Sequence, residues 1–152
     1  MCIRDRLLPA VTKALAKLVT KVEYVRIDSA AFPDVKGRHE TILTPGKKSA
    51  FYLAAHQVAV GRMNKDYAAL LVANQILGGG SLSSRLADRV RQKDGLSYGV
   101  ASMYRTYAFK DLGRFIMYAI SNPANSDKVV AAIHEEVDLL RKDGITLSLI
   151  HI

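Results

Sequence analysis

An α+β domain is predicted, a two-layer sandwich with a mainly antiparallel sheet and helices packed on one of its faces. Two observations predict it. The chain reads as strand, strand, helix, helix, strand, strand, helix, and its strand pairs are joined by turns too short for a crossover, so neighbouring strands run antiparallel. Its 152 residues suit one domain, and 49% apolar with 24% charged residues is a composition that folds rather than stays disordered.

The elements follow in order. Residues 7–19 carry apolar side chains at near-helical spacing and read as a short helix, followed by a polar loop from Asp28 to Arg38 with Pro33 and Gly37. Glu40–Leu43 is the first strand signal. Thr44-Pro45-Gly46-Lys47 then has Pro and Gly at the two central positions of a type II turn. Ser49–Val60 is apolar on both alternating faces, as a covered, central strand would be. Over Lys65–Leu77, residues Tyr67, Leu70, Leu71, Asn74 and Leu77 fall on one helical face. Gly78-Gly79-Gly80 is expected to end that helix, since glycine accepts the left-handed geometry of a helix terminus.

Ser81–Ser84 supplies N-cap candidates for a second helix with Leu82, Leu86 and Val90 on one stripe, closed by Lys93-Asp94-Gly95. Residues 96–108 and 112–120 are aromatic and β-branched enough for two strands, with Lys110-Asp111 between them. Asn122-Pro123 breaks the second. Asn125-Ser126-Asp127 is read as the cap of a last helix, with apolar Val130, Ile133, Val137 and Leu140 and an end at Asp143-Gly144. Leu71 and Ile133 are expected in the core, where truncation to Ala costs about 2–5 kcal/mol.

Several function classes are excluded at this level. No apolar run approaches the roughly 20 residues of a membrane-spanning helix, so no transmembrane segment is expected. One cysteine, Cys2, forms no disulfide framework and no multi-thiolate zinc site. The net charge is +8, yet the basic residues are scattered, with Arg85, Arg89, Arg91 and Lys93 the one dense group, and no nucleic-acid motif appears. A nucleic-acid partner is therefore not expected. An anion-binding module built on the Arg85–Lys93 cluster is kept as a minor alternative.

Catalytic motifs are scarce. The histidines are His39, His56, His134 and His151, and no two are four residues apart, so neither H-E-x-x-H nor H-x-x-E-H is present. His134-Glu135-Glu136 reads as a surface histidine beside two solvated carboxylates. Gly78–Ser84 matches neither phosphate-binding glycine pattern and follows a helix rather than a strand. No G-x-S-x-G elbow occurs.

What remains is Asn74–Tyr98. It contains Ile76-Leu77-Gly78-Gly79-Gly80, then Ser84-Arg85-Leu86, then Arg91 and, seven positions on, Tyr98 within Gly95-Leu96-Ser97-Tyr98. This run resembles the carboxy-terminal, non-zinc domain of the pitrilysin/insulinase-type zinc metallopeptidases, a family that includes the mitochondrial processing peptidase. The resemblance covers about residues 24–146 and implies the LuxS/processing-peptidase-like fold, with 7–23 a helix or linker from a preceding region. It further implies that zinc and general base reside in a homologous amino-terminal domain of the same or a partner chain. No cofactor or metal is then expected here, and the substrate is a peptide. By matching position, Arg91 and Tyr98 are the implied substrate and oxyanion contacts.

Helical geometry is compatible, since Arg91 lies off the stripe of Leu82, Leu86 and Val90. On this reading the chain alone is inactive and acts as the substrate-binding domain of a metalloendopeptidase. The alternative is a catalytically inactive homologue serving as a scaffold or processing partner. The wording Arg89-Val90-Arg91-Gln92-Lys93-Asp94-Gly95-Leu96-Ser97-Tyr98-Gly99 resembles the secreted or periplasmic bacterial branch. The segments 1–6 and 147–152 resemble translated sequencing adapters, so non-native ends on a truncated domain are expected.

Overall fold

The computed structural model describes residues 3–18, 22–27, 35–108 and 110–145, in two compact units, Met1–Ala30 and Ala31–Ile152. Cys2, Pro33, His151 and the segment 147–152 lie outside the described residues, as does most of the loop expected from Asp28 onward. In the first unit, helix α1 spans Ile3–Leu15, with Asp5 in its first turn and Lys13 in its last, each favourable to the helix dipole.

The second unit is the α+β sandwich that the sequence predicts. Its sheet holds β1 (Ala50–Val58), β2 (Ser97–Thr106) and β3 (Gly113–Ser121) in the order β1-β3-β2, antiparallel throughout. Helix α2 (Tyr67–Asn74) and the wide turns Gln75–Gly79 and Ala87–Lys93 pack on β2, while helix α3 (Ser126–Asp143) contacts β1 and β3. Side chains alternate across the pleat, so Tyr52, Val100, Phe115, Met117 and Ala119 point to the helices. They meet Leu77, Leu86, Val90, Val129, Ala132 and Ile133 in one core. Among the described residues of this unit, no helix packs on the other sheet face.

Five expectations are corrected. Residues 35–44 form no strand. The Pro45-Gly46 turn does close, with Lys47 N–H donating to the Thr44 carbonyl (3.4 Å) and Gly46 at φ +79°. Ile42 and Leu43 stay exposed, however, because no neighbouring strand satisfies their backbone. Residues 49–60 supply an edge strand, not the central one; β3 takes the centre, and Phe51 is 61% exposed on the face away from the helices.

The α2 stripe is displaced as well. Leu71 is 39% exposed although Leu77 is buried. The chain changes at Gln75 to wider, π-helical turns, and each such turn inserts a residue that rotates the buried face. Leu82 is exposed for a related reason, since Ser81–Ser83 form a separate 3₁₀ turn ahead of the helical stretch that carries Leu86 and Val90. Finally, none of Gly78, Gly79 and Gly80 has positive φ; the left-handed residue is Ser81, at φ +56°.

The caps are partly as expected. Ser84 Oγ accepts from Ala87 N–H (3.4 Å), an N-cap contact. Asn125 makes no side-chain cap, whereas Asn122 Oδ1 accepts from Ala124 N–H (3.0 Å) and starts the turn into α3. Gly144, at φ +68°, ends α3 with its N–H on the Leu140 carbonyl (3.1 Å).

Burial sets the first stability prediction. Ile133 is fully buried among Val90, Val129 and Ala132, so Ile133→Ala is expected to cost about 3 kcal/mol in urea unfolding. Leu71→Ala, at a half-open site, is expected to cost less than about 1 kcal/mol.

Candidate functional site

Arg91 and Tyr98 flank one tight reversal. Val90 is buried, and the next residue, Arg91, stands exposed on the Ala87–Lys93 turn. The turn closes with Asp94 N–H on the Arg89 carbonyl (3.1 Å) and Leu96 N–H on the Val90 carbonyl (2.9 Å). Gly95 reverses the chain at φ +62°, a left-handed conformation that a side chain resists. Leu96 then packs on the core.

Tyr98 owes its exposure to a β-bulge. Ser97 pairs with Ser121 and Gly99 with Ile120, so Tyr98 is the extra residue of β2. Ser97 pins the bulge: its hydroxyl reaches the Ile120 carbonyl (2.5 Å) and accepts from Gly99 N–H (3.1 Å). Tyr98 is 69% exposed and, among the described residues, makes no side-chain hydrogen bond or ring contact. Bulges re-aim side chains, and sequence periodicity does not reveal them.

The basic cluster divides sharply. Arg85 Nε donates to Glu136 (2.9 Å), both side chains being largely buried. Arg89 is held by Glu135 (3.0 Å) and by Asp94, and these carboxylates, Glu135 foremost, hold its guanidinium pKa above the ordinary value. Lys93 pairs with Asp88 (2.7 Å), which raises the lysine pKa. Gln92 donates to the Leu82 carbonyl (2.7 Å). Among the described residues, Arg91 is the cation of this group left without a counter-ion.

Two sequence-based expectations change accordingly. The Arg85–Lys93 cluster is not an open anion-binding patch, because three of its cations are neutralised internally. Glu136 is not solvated; it is buried and paired with Arg85, and Glu135 is engaged by Arg89. This disposition also tests the donor set for zinc. With both carboxylates beside exposed His134 committed to arginines, these residues do not fit the metal, and no group of three metal-binding side chains occurs among the described residues.

At the far end of β2 lies a different assembly. An open depression of about 730 Å³ is lined by Met63, Asn64, Lys65, Asp66, Lys110 and Asp111. Asp111 accepts from Gly61 N–H (2.5 Å) and from Asn64 (3.1 Å), joining the β2–β3 hairpin to the loop after β1. Tyr104 Oη donates to the Val60 carbonyl (2.5 Å) on the same loop.

Burial, helped by the Asp111 charge, raises the Tyr104 pKa. The unfolded chain therefore releases this proton first, and stability is expected to fall as pH climbs above the ordinary tyrosine value of about 10. Tyr104→Phe should flatten that alkaline decline in pH-dependent urea unfolding.

No helix among the described residues is long and apolar enough to cross a membrane. Comparison with known proteins agrees with the fold and the motif. Residues 4–151 match the family model described as the peptidase M16 inactive domain. An uncharacterized zinc protease of Streptomyces coelicolor is 41% identical over 51% of this chain and 16% of its own length. One of Bacillus subtilis is 38% identical over 51% of the chain and 18% of its length. The chain thus matches less than a fifth of each of these curated relatives. Among solved structures, the peptidase M16 inactive domain from Pseudomonas fluorescens superposes with a TM-score of 0.60 at 32% identity, over 68% of this chain and 24% of that one. A conserved protein from Enterococcus faecalis gives a TM-score of 0.59 at 26% identity, over 68% of this chain and 23% of that one. By fold, motif and family match, the chain belongs to the family described as the peptidase M16 inactive domain.

Proposed function

We propose that this domain is the peptide-contacting half of a zinc metalloendopeptidase, in which Arg91 and Tyr98 hold the substrate beside a zinc housed in a homologous domain of the same or a partner chain. The observation that carries this reading is the pairing within the basic group. Among the described residues, every other cation from Arg85 to Lys93 is engaged by a carboxylate and Arg91 is not, and one glycine reversal separates it from a phenol that a bulge turns outward.

The chemistry suits such a pair. A guanidinium offers forked donors to a peptide carbonyl, and a phenol offers one donor to an oxygen that gains negative charge as the carbonyl becomes tetrahedral. Neither group needs to change its own protonation state. Zinc supplies water activation in such enzymes; the part assigned to this domain is to orient the peptide and stabilise charge. The parent is proposed to be exported to the periplasm or beyond, on the wording of residues 89–99 alone. The test is Tyr98→Phe in the complete protease, with a loss of about 10²-fold in kcat/KM expected. Unchanged kinetics would favour a scaffold or processing-partner role instead.

A further inference from the structure

The reversal between Arg91 and Tyr98 is held by a neighbouring arginine. Arg89 meets two carboxylates on different elements: Nη1 donates to Asp94, the residue before Gly95, and Nη2 donates to Glu135 on α3 (3.0 Å). Its main chain closes the same ring, because Asp94 N–H donates to the Arg89 carbonyl (3.1 Å). Four residues earlier, Arg85 binds Glu136, the next residue of α3 (2.9 Å). The Ala87–Lys93 turn is thus pinned to α3 on both sides of Ala87, and the second pin reaches on to the glycine bend.

A guanidinium suits that bridge. It presents donors in a rigid planar fork, so one side chain can serve two acceptors in fixed directions, whereas an ammonium is a point charge on a flexible stem. The Arg89 and Asp94 side chains are 34% and 24% exposed, against 67% and 47% for Lys93 and Asp88 on the same turn. Solvent therefore screens the first pair less than the second.

We infer that Arg89 is a positioning residue: its guanidinium bridges Asp94 and Glu135, fixes the Gly95 reversal against α3, and so sets the placement of Arg91 and Tyr98 before a peptide arrives. The inference rests on the peptide-contacting reading of that pair and adds the residue that preorganises it. Preorganised donors stabilise developing charge because nothing has to reorient at the moment of reaction. A misplacement of about 1 Å can cost about 10²-fold in rate. About tenfold is expected here, since the backbone bonds of Asp94 and Leu96 remain to hold the turn.

The test joins a local measurement to kinetics. In the 152-residue chain, Arg89→Gln should speed amide hydrogen exchange about tenfold at Asp94 and Leu96, whose N–H groups close the turn, and leave buried Ile133 of α3 within about twofold. In the complete protease, the same variant should lower kcat/KM about tenfold while the melting temperature stays within a few degrees. Arg89→Lys, which keeps the charge but not the fork, should recover part of that loss. Lys93→Gln, which removes equal charge from the same turn, should stay within about twofold of the parent in kcat/KM.

Unchanged exchange at Asp94 and Leu96, or acceleration shared equally by Ile133, overturns the inference. A fully active Arg89→Lys, or a Lys93→Gln as impaired as Arg89→Gln, overturns it as well. Full activity in Arg89→Gln beside an impaired Tyr98→Phe sinks this inference alone. Full activity in both, with the reversal loosened, sinks the peptide-contacting reading on which it rests.

Discussion

Tyr98→Phe is expected to lower kcat/KM of the complete protease by about 10²-fold while leaving its melting temperature unchanged. The two halves of that expectation have separate causes. Removing one donor aimed at a developing oxyanion costs about 10²–10³ in rate, because such a site has little water to take the donor's place. The lower end applies here, since Arg91 remains as a second donor. A hundredfold loss is about 2.7 kcal/mol of transition-state stabilisation, and it should fall mainly on kcat, the neutral ground-state carbonyl being the weaker acceptor.

The fold should not notice the change. Tyr98 is the bulged residue of β2, 69% exposed and without a side-chain hydrogen bond among the described residues, so the phenylalanine ring occupies the same space at no cost to packing. Steady-state kinetics on a quenched fluorescent peptide, beside a thermal melt, measure both quantities. A stably folded variant with unaltered kcat/KM would remove the catalytic argument for Tyr98 and leave the domain a structural partner.

The sequence pattern disclosed the sandwich because periodicity survives wherever an element has one buried face. α3 shows this best: Ile133 is buried, Val137 and Leu140 pack against the core, and Gly144 ends the helix as read. The pattern failed where tertiary neighbours decide. Glu40–Leu43 has strand composition but no strand beside it, and β1 looks central because its face away from the helices is apolar too. Leu71 was misassigned because the wide turns after Asn74 alter the helical period, which composition does not encode.

The site divides the same way. Arg91 and Tyr98 enter the candidate site through the resemblance of the Asn74–Tyr98 run, and the bulge that turns Tyr98 outward leaves no trace in the sequence pattern. The carboxylates that neutralise Arg85, Arg89 and Lys93 lie partly on another helix, at Glu135 and Glu136, and only folding brings them there.

Gly78→Val is expected to lower stability by about 5 kcal/mol, which approaches the whole stability of many domains. A Cβ at Gly78 would sit 2.4 Å from the Ser102 backbone nitrogen, 2.6 Å from its Oγ and 2.9 Å from Leu86 Cδ1. Two of these neighbours belong to β2 and the third to the buried stripe, so nothing at the contact is free to swing away. Relief requires the Gln75–Gly79 turn to retreat from the strand. Retreat breaks the Ser102 hydroxyl bond to Asn74 Oδ1 (2.9 Å) and opens the packing around Leu77, Leu86 and Val90.

Close approach, not left-handed backbone, is therefore what the glycine provides, and this distinguishes it from Gly95. Gly37→Ala is the matched control, because a Cβ there meets nothing within 4 Å. Urea and thermal unfolding should show the control within about 0.5 kcal/mol of the parent and Gly78→Val lower by about 10–20 °C. If Gly78→Val melted within a few degrees of the parent, the turn would not need to touch β2, and the support beneath Arg91 would have to lie elsewhere.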